Sequence, residues 1–152
     1  SPPAELILAF LVYRLNLGDL ESVINRLKFS NSVNRVLHDT LKLKSDLPAL
    51  ARPGLAPSEI YRHLHSCSRT AILANLLVTE DPLVRQHIEL YLNKLRNVRP
   101  ALTGEDIVQM KIAAGPRIKE VLDLLREARL DGKVHTREDE LAMVGKISRE
   151  IR

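Results

Sequence analysis

The sequence predicts an all-α fold of about eight or nine helices. Apolar residues recur at spacings of three and four in almost every segment, as at Val84, Ile88 and Tyr91. No stretch alternates apolar and polar residues for long enough to predict a strand. Prolines and capping residues separate the periodic segments, and these residues mark helix starts and ends.

The first three predicted helices rest on apolar stripes and on one capping residue. Pro2 and Pro3 precede "AELILAFLVYRL", which predicts a largely buried first helix. Asp19 is placed to cap the second helix. The third helix covers "SNSVNRVLHDTLKLKSDL" and is expected to stop near Pro48. The inward-facing residues are Leu20, Val23, Ile24 and Leu27 in the second helix, and Val33, Val36, Leu37 and Leu41 in the third.

Three more helices are predicted before residue 100. Pro57 begins the fourth, after the proline-rich loop "LPALARPGLAP", and the fifth passes through Ala71. Asp81 caps the sixth, with Pro82 in its first turn. The sixth helix carries an apolar stripe formed by Val84, Ile88, Tyr91, Leu95 and Val98. The pattern breaks at Pro100, so we predict a helical body over residues 1–99 and a smaller helical tail over residues 100–152.

Two capping boxes and one glycine define the predicted tail. Thr103 with Asp106, and Thr136 with Asp139, have the spacing of a capping box, with Asp in place of the usual Glu. Gly132 stands where a glycine ends a helix. The expected stripes are Ile118, Val121, Leu122, Leu125 and Ala128 in the long helix that begins at Pro116, and Leu141, Val144, Ile147 and Ile151 in the last helix.

Composition limits the classes of protein that fit. The net charge of +4 and pI near 9.4 allow a polyanionic partner without requiring one. No apolar run reaches the roughly 18 residues of a membrane span, so we expect no membrane partner. The single cysteine, Cys67, suits a reducing compartment, and we expect a cytoplasmic protein. The chain opens without Met, and we interpret it as a fragment of something longer.

The sequence shows no recognisable catalytic constellation. His63, His65 and Cys67 could begin a metal site, but no second ligand cluster accompanies them, so we predict no metal ligands. No nucleophile-elbow, P-loop or dinucleotide-binding pattern is present. The acidic run "REDE", from Arg137 to Glu140, is interpreted as a helix N-terminus that favours negative charge. We therefore predict no catalytic residue in this chain.

Aromatic residues are few, and most of them are assigned to the core. They are Phe10, Tyr13, Phe29, Tyr61 and Tyr91, and tryptophan is absent. A platform that stacks unpaired bases needs exposed aromatic rings. A nucleic acid bound here would therefore be held by its backbone.

A Gly-Pro turn is the strongest candidate binding feature. Ala114, Gly115 and Pro116 lead directly into a long helix, whose first amide groups and dipole can hold an anion. Lys111, Arg117 and Lys119 would add positive charge around that turn. The competing interpretation is that Gly115 only turns the chain and Pro116 only starts the helix.

Residues 102–141 resemble the C-terminal tail of bacterial tRNA nucleotidyltransferases and poly(A) polymerases of the class II CCA-adding family. The motifs are a "TG-x-D" helix start, a "GP-x-[IV]" helix start and a "DG" turn. They fall on Thr103, Gly104 and Asp106, on Gly115, Pro116 and Ile118, and on Asp131 and Gly132. Upstream, Arg26, Leu27, Ser30 and Asn31 resemble the "RL-x-x-SN" junction of the family. Lys119 departs from the family pattern, which has glycine there.

The resemblance implies a division of labour between this chain and a preceding head. The head would hold the divalent metal (Mg) and CTP or ATP, and would add nucleotides to the 3′ end of tRNA. The body and tail would bind the backbone of the acceptor stem and T arm, so the implied partner is tRNA or another RNA. The residues expected to contact RNA are Lys111, Gly115, Arg117, Lys119, Lys133 and Arg137 in the tail, and Arg85, Lys94, Arg96 and Arg99 in the body.

Two other classes of function stay open at this point. The apolar stripe of the sixth helix could face a partner, which would make the chain a protein-interaction or dimerisation module. The Gly-Pro turn could also serve duplex DNA, as in a helix-hairpin-helix domain. The oligomeric state, and whether the parent adds CCA, CC, A or a poly(A) tail, are not fixed by these residues.

Overall fold

The computed structural model describes residues 3–150, and over this range it confirms the all-α prediction. These residues form nine α-helices and one short 3₁₀ helix, with no strand among them. The α-helices are α1 (Ala4–Val12), α2 (Leu17–Leu27), α3 (Asn31–Leu50), α4 (Pro57–Leu64), α5 (Arg69–Val78), α6 (Pro82–Asn93), α7 (Gly104–Gln109), α8 (Pro116–Leu130) and α9 (Arg137–Glu150). The 3₁₀ helix covers Leu95–Asn97. None of the helices in this range is long and apolar enough to cross a bilayer.

The helices group into two compact units. The first unit contains residues 3–55 and Glu59–Arg96, and the second contains Ala56–Ser58 and residues 97–150. The division that we predicted from the sequence, at Arg99-Pro100, remains a prediction about domain organisation.

The first unit is built around α3. Leu37 and Leu41 of α3 pack with Leu20 and Ile24 of α2 and with Val12 of α1. A second cluster joins Leu6 and Ala9 of α1 to Val36 of α3 and Ala74 of α5. Burying one leucine or isoleucine side chain contributes roughly 1.5–3 kcal/mol, so both clusters stabilise this unit.

The prediction of a largely buried first helix is wrong. α1 packs on one side only, against α3 and α5, and its other side is open to solvent. Ile7, Phe10 and Leu11 are exposed by 46%, 37% and 71%. Phe10 is therefore not a core aromatic, whereas Tyr91 is buried as predicted. Pro2, which we expected to precede this helix, lies outside the described residues.

The predicted start of α2 is also corrected. Asn16, not Asp19, is the N-cap, because its extended backbone lets its side-chain oxygen accept the N–H of Asp19 at 2.8 Å. Asp19 lies in the first helical turn, where its charge favours the helix dipole. Leu27, expected inside, is 60% exposed; it is the last residue of α2, and Lys28 after it has a left-handed conformation.

α3 continues past the proline that was expected to stop it. Pro48 lies inside the last turn, and the helix ends at Leu50. Leu50 is fully buried, and the N–H of Ala51 donates to the carbonyl of Leu47 at 3.0 Å. A proline so close to the C-terminus loses its own hydrogen bond while the core contact of Leu50 keeps the turn helical.

The second unit confirms both predicted capping boxes. The N–H of Asp106 donates to Thr103 Oγ1 at 3.2 Å, and the N–H of Thr103 donates to Asp106 Oδ2 at 2.8 Å. Thr136 and Asp139 exchange the same two bonds, each at 3.1 Å, before α9. The core below these caps consists of Leu102, Ile107, Val121, Leu125 and Val144. Ile151, predicted for the last stripe, lies outside the described residues.

The end of α8 confirms the role predicted for Gly132. Gly132 has φ +71° and donates to the carbonyl of Arg129 at 3.2 Å. The N–H of Lys133 donates to the carbonyl of Ala128 at 2.8 Å. These two bonds are those of a Schellman motif, which fixes the direction in which the chain leaves the helix.

The acidic run lies in the first turn of α9, as predicted, but Glu140 has a further role that the sequence did not predict. Its carboxylate is fully buried. It accepts the N–H groups of Ala101, at 3.0 and 2.9 Å, and of Leu102, at 3.2 Å. Arg129 adds two charge-assisted contacts, from Nε at 2.7 Å and from Nη2 at 2.6 Å. Glu140 therefore ties the segment before α7 to α8 and α9.

Candidate nucleic-acid interface

The Gly-Pro turn has the backbone geometry that opens a helix without a side-chain cap. Gly115 has φ +60° and occupies the N-cap position, and Pro116 is the first helical residue. No side chain caps this helix start. A side chain added at Gly115 would meet no protein atom within 4 Å. Glycine is therefore favoured here by its positive φ and not by a close protein neighbour, and the N–H of Ile118 donates to the carbonyl of Gly115 at 3.1 Å.

A shallow depression lies beside this turn. Its floor is apolar, and its rim carries two of the predicted site residues, Lys111 and Arg117. Val108, Ile112, Ala113 and Ala114 complete the lining. Lys111 has φ +53°, a left-handed conformation that is uncommon for a residue with a side chain. The structure thus brings Lys111 and Arg117 to one depression, next in sequence to Gly115, and it places Lys119 on the exposed surface of the first turns of α8.

Lys133 lines a second depression, beyond the C-terminus of α8. His135, Asp139 and Lys146 also line it, together with the apolar side chains of Ala142 and Met143. Sequence reasoning did not include Lys146. The signal that could have found it is helical spacing, since Lys146 follows Asp139 by seven residues and so shares its face of α9.

The side chain of Arg137 contacts other residues of the second unit. Its Nη2 lies 3.3 Å from Asp106 Oδ1, and its Nη1 lies 3.4 Å from the carbonyl oxygen of Ala101. The backbone hydrogen bond from Thr103, and then the bond from Arg137, lower the pKa of Asp106 below its ordinary value. The guanidinium of Arg137 is therefore engaged with an acid before any ligand arrives.

The four basic residues predicted for the body differ in their contacts. Arg85 is half-buried, and its Nη1 donates to the carbonyls of Leu76 at 2.8 Å and Thr79 at 3.3 Å, which closes the C-terminus of α5. Lys94 and Arg96 are exposed at the end of α6 and in the 3₁₀ helix. Arg99, which belongs to the second unit, is exposed as well.

Ion pairing separates the basic residues of the second unit into two groups. Arg126, Arg129 and Arg137 each pair with an acidic side chain. In the part of the chain that the structure describes, Lys111, Arg117, Lys119, Lys133 and Lys146 form no ion pair with an acid, and neither do Arg99 and Arg149. These seven charges are the ones available to an anionic ligand.

The histidine and cysteine residues have local partners. The ring of His65 stacks on Tyr61 at 5.0 Å, and Cys67 Sγ lies 3.9 Å from the carbonyl oxygen of His63. Burial raises the pKa of the Cys67 thiol. Over residues 3–150, no three His, Cys, Asp or Glu side chains come together as a metal-binding group.

The stripe of α6, on which the interaction-module hypothesis depended, is inside its own unit. Val84, Ile88, Tyr91 and Leu95 are between 0% and 8% exposed. His87, on the same helix, lies 2.7 Å from the carbonyl oxygen of Leu50 through Nδ1. This face is therefore core and is not available to a partner.

Over the residues that the structure describes, the protein is all-α. It carries lysine and arginine side chains without ion pairs beside two open depressions that apolar residues also line. Over 100 residues, or 66% of the chain, it is 33% identical to an A-adding tRNA nucleotidyltransferase of Geobacter sulfurreducens. The match spans 11% of that protein's length. No family model matches the chain, and no solved structure matches it. The identity supports a relationship to the tRNA nucleotidyltransferase family.

Proposed function

We propose that this chain is the RNA-binding, C-terminal body and tail of a tRNA nucleotidyltransferase. It binds the sugar-phosphate backbone of the acceptor stem and T arm, while a head that precedes it adds nucleotides to the 3′ end. The observation that carries the proposal is the depression at the start of α8, where Lys111 and Arg117 flank an apolar floor and make no ion pair with a described acid. The identity to an A-adding tRNA nucleotidyltransferase supports the choice of RNA.

The residues that line the depression suit the sugar-phosphate backbone of a nucleic acid better than its bases. Lys111 and Arg117 can contact phosphate oxygens, and the Arg117 guanidinium can do so with two parallel hydrogen bonds. The floor formed by Ile112 and Ala113 can pack against a ribose ring. No aromatic side chain lines it. A-form RNA is recognised mainly by shape and by sugar and phosphate contacts, and such a site would accept many tRNA sequences.

The catalytic groups are assigned to the head. Selection of CTP or ATP, and binding of the divalent metal, are proposed for that part of the parent protein. The proposal for this chain is therefore binding without nucleotide transfer.

Binding of tRNA to Arg117→Ala and Lys119→Ala tests the proposal directly. Each variant should bind tRNA about three- to tenfold more weakly and lower the log-log salt slope by about one unit, because each loses one phosphate contact. Lys42→Ala is the matched control, because Lys42 is an exposed lysine on α3 in the first unit. Circular dichroism should show equal helicity in all three variants.

The same measurement separates the other functions. Failure of the unsubstituted chain to bind tRNA at any salt concentration overturns the proposal. Equal affinity for a DNA duplex would favour the helix-hairpin-helix interpretation. A concentration-dependent dimer without salt-dependent binding would favour an interaction module. Unchanged tRNA affinity in both variants would remove the α8 turn from the binding site.

A further inference from the structure

Lys146 and Lys133 form a second cluster of positive charge that the sequence motifs do not explain. Both lysines are exposed and line the depression beyond the C-terminus of α8. Neither forms an ion pair with an acid among residues 3–150. Ala142 and Met143 give this depression an apolar floor, like that of the depression beside the Gly-Pro turn.

The carboxylate that lines this depression, Asp139, accepts hydrogen bonds from two backbone N–H groups. Asp139 Oδ2 accepts the N–H groups of His135 at 2.9 Å and Thr136 at 3.1 Å. The carboxylate lies in the first turn of α9, where the positive end of the helix dipole offsets its charge. Two lysines and one carboxylate therefore line this depression, so the net charge of its lining is positive.

The backbone around Lys133 is fixed. Its N–H closes the Schellman motif on Ala128, and the next residue, Val134, is 5% exposed. Lys146 lies inside the 14-residue helix α9. Both side chains therefore start from rigid backbone positions, which lowers the entropic cost of holding a ligand between them.

α8 lies between Arg117 of the first depression and Lys133 of the second. The first depression includes Arg117, at the start of α8, and the second begins with Lys133, just after its end. α8 has 15 residues, which at 1.5 Å per residue gives an axial length of about 22 Å. A single phosphate or nucleotide is shorter than this distance, whereas a duplex of roughly seven to eight base pairs matches it in length.

We propose that Lys133 and Lys146 form a second phosphate-binding subsite, and that the second unit holds duplex RNA by its backbone at both ends of α8. The inference rests on the proposed function, because it assumes that RNA is the ligand. It adds a requirement for duplex length, and it assigns Lys146 to the binding surface. Two sites on one rigid helix make the second contact effectively intramolecular, so affinity should rise steeply once the duplex spans both.

The test uses the whole chain and two blunt RNA hairpins, with stems of about 4 and about 12 base pairs. The double variant Lys133→Ala/Lys146→Ala should bind the long stem about tenfold more weakly, with a salt slope lower by about two units. Its affinity for the short stem should change by no more than about twofold, because that stem can still occupy the other depression. Lys28→Ala/Lys42→Ala removes the same charge from the first unit and is the control.

Three outcomes would overturn the inference. Long-stem affinity equal to that of the control would show that the lysines bind no phosphate. Equal losses on both stems would show a general charge effect without a two-point contact. Equal affinities of the unsubstituted chain for the two stems would show that the long stem does not contact both ends of α8. In each case tRNA binding that depends on Arg117 and Lys119 would leave the proposed function standing, whereas loss of all RNA binding by the unsubstituted chain would remove both.

Discussion

At the scale of single residues, two lysines hold the left-handed backbone conformation. Lys28 has φ +49° and ends α2, and Lys111 has φ +53° and precedes the Gly-Pro turn. Glycine would be the less costly residue at both positions, since a side chain in this region costs roughly 1 kcal/mol or more. At Lys111 the side chain lines the proposed binding depression, which gives a functional reason for a lysine there.

Substitution of Lys111 by glycine should separate stability from binding. Lys111→Gly is expected to raise the free energy of unfolding by up to about 1 kcal/mol while weakening tRNA binding about three- to tenfold. Urea unfolding and a binding titration measure the two effects. Lys28→Gly is the control, because it relieves the same strain outside the site and should leave affinity unchanged. A Lys111→Gly protein that is more stable and binds as tightly would exclude Lys111 from the interface.

At the scale of helices, the second unit depends on acids that cap helix starts. Backbone hydrogen bonds from His135 and Thr136 lower the pKa of Asp139, and the bond from Thr103 lowers that of Asp106. A carboxylate whose pKa is lowered by folding stabilises the native state above its ordinary pKa, and this contribution is lost as the pH falls through the lowered value. α7 and α9 should therefore weaken in acid.

Acid titration of helicity tests this dependence. The wild-type chain should lose stability as the pH falls below the ordinary aspartate value of 3.8, because both caps then become protonated. In the double variant Asp106→Asn/Asp139→Asn the curve should be flatter over that interval. Thermal melting followed by circular dichroism at successive pH values makes the comparison. Equal slopes in the two proteins would show that the caps do not control acid stability.

At the scale of the whole molecule, one buried ion pair organises the second unit. Glu140 is fully buried, and its oxygens satisfy Arg129 and the N–H groups of Ala101 and Leu102. Removing one member of such a pair leaves a buried charge without a partner, which commonly costs about 3–5 kcal/mol. The carboxylate therefore joins α9 to α8 and to the residues that precede α7.

Glu140→Gln should destabilise the second unit by up to about 5 kcal/mol, because the neutral amide leaves the guanidinium of Arg129 without its counter-charge. Glu138→Gln is the matched control: Glu138 is exposed in the same turn, and its substitution should change stability by less than about 0.5 kcal/mol. Urea unfolding measures both. Equal stabilities would mean that solvent or another acid compensates Arg129.

Local patterns predicted much of this fold because they depend on neighbouring residues. The capping boxes at Thr103 and Thr136 and the glycine end at Gly132 follow from spacing alone. The exposed side of α1 was missed because an apolar helix does not reveal how many of its faces will be covered. Glu140 was missed because its partners lie far away in the sequence, so its burial depends on tertiary packing.

The candidate site was predictable only in part, and for the same reason. Lys111 and Arg117, which line one depression, are close in sequence, so this part of the site could be predicted from the sequence. That Arg85 and Arg137 are engaged in the fold is visible only when their carbonyl and carboxylate partners are in place. Lys133 and Lys146 line the same depression although they are 13 residues apart in the sequence, and no sequence motif indicates this.

The segment at Ala101 and Leu102 shows that a part of this chain outside the helices can be held as firmly as a helix. These residues lie outside every helix, yet a side chain immobilised in the core holds both of their amides. Connecting segments usually move more than the elements they join. Here the connection is anchored like a helix, so α7, and the turn that follows it, start from a fixed base.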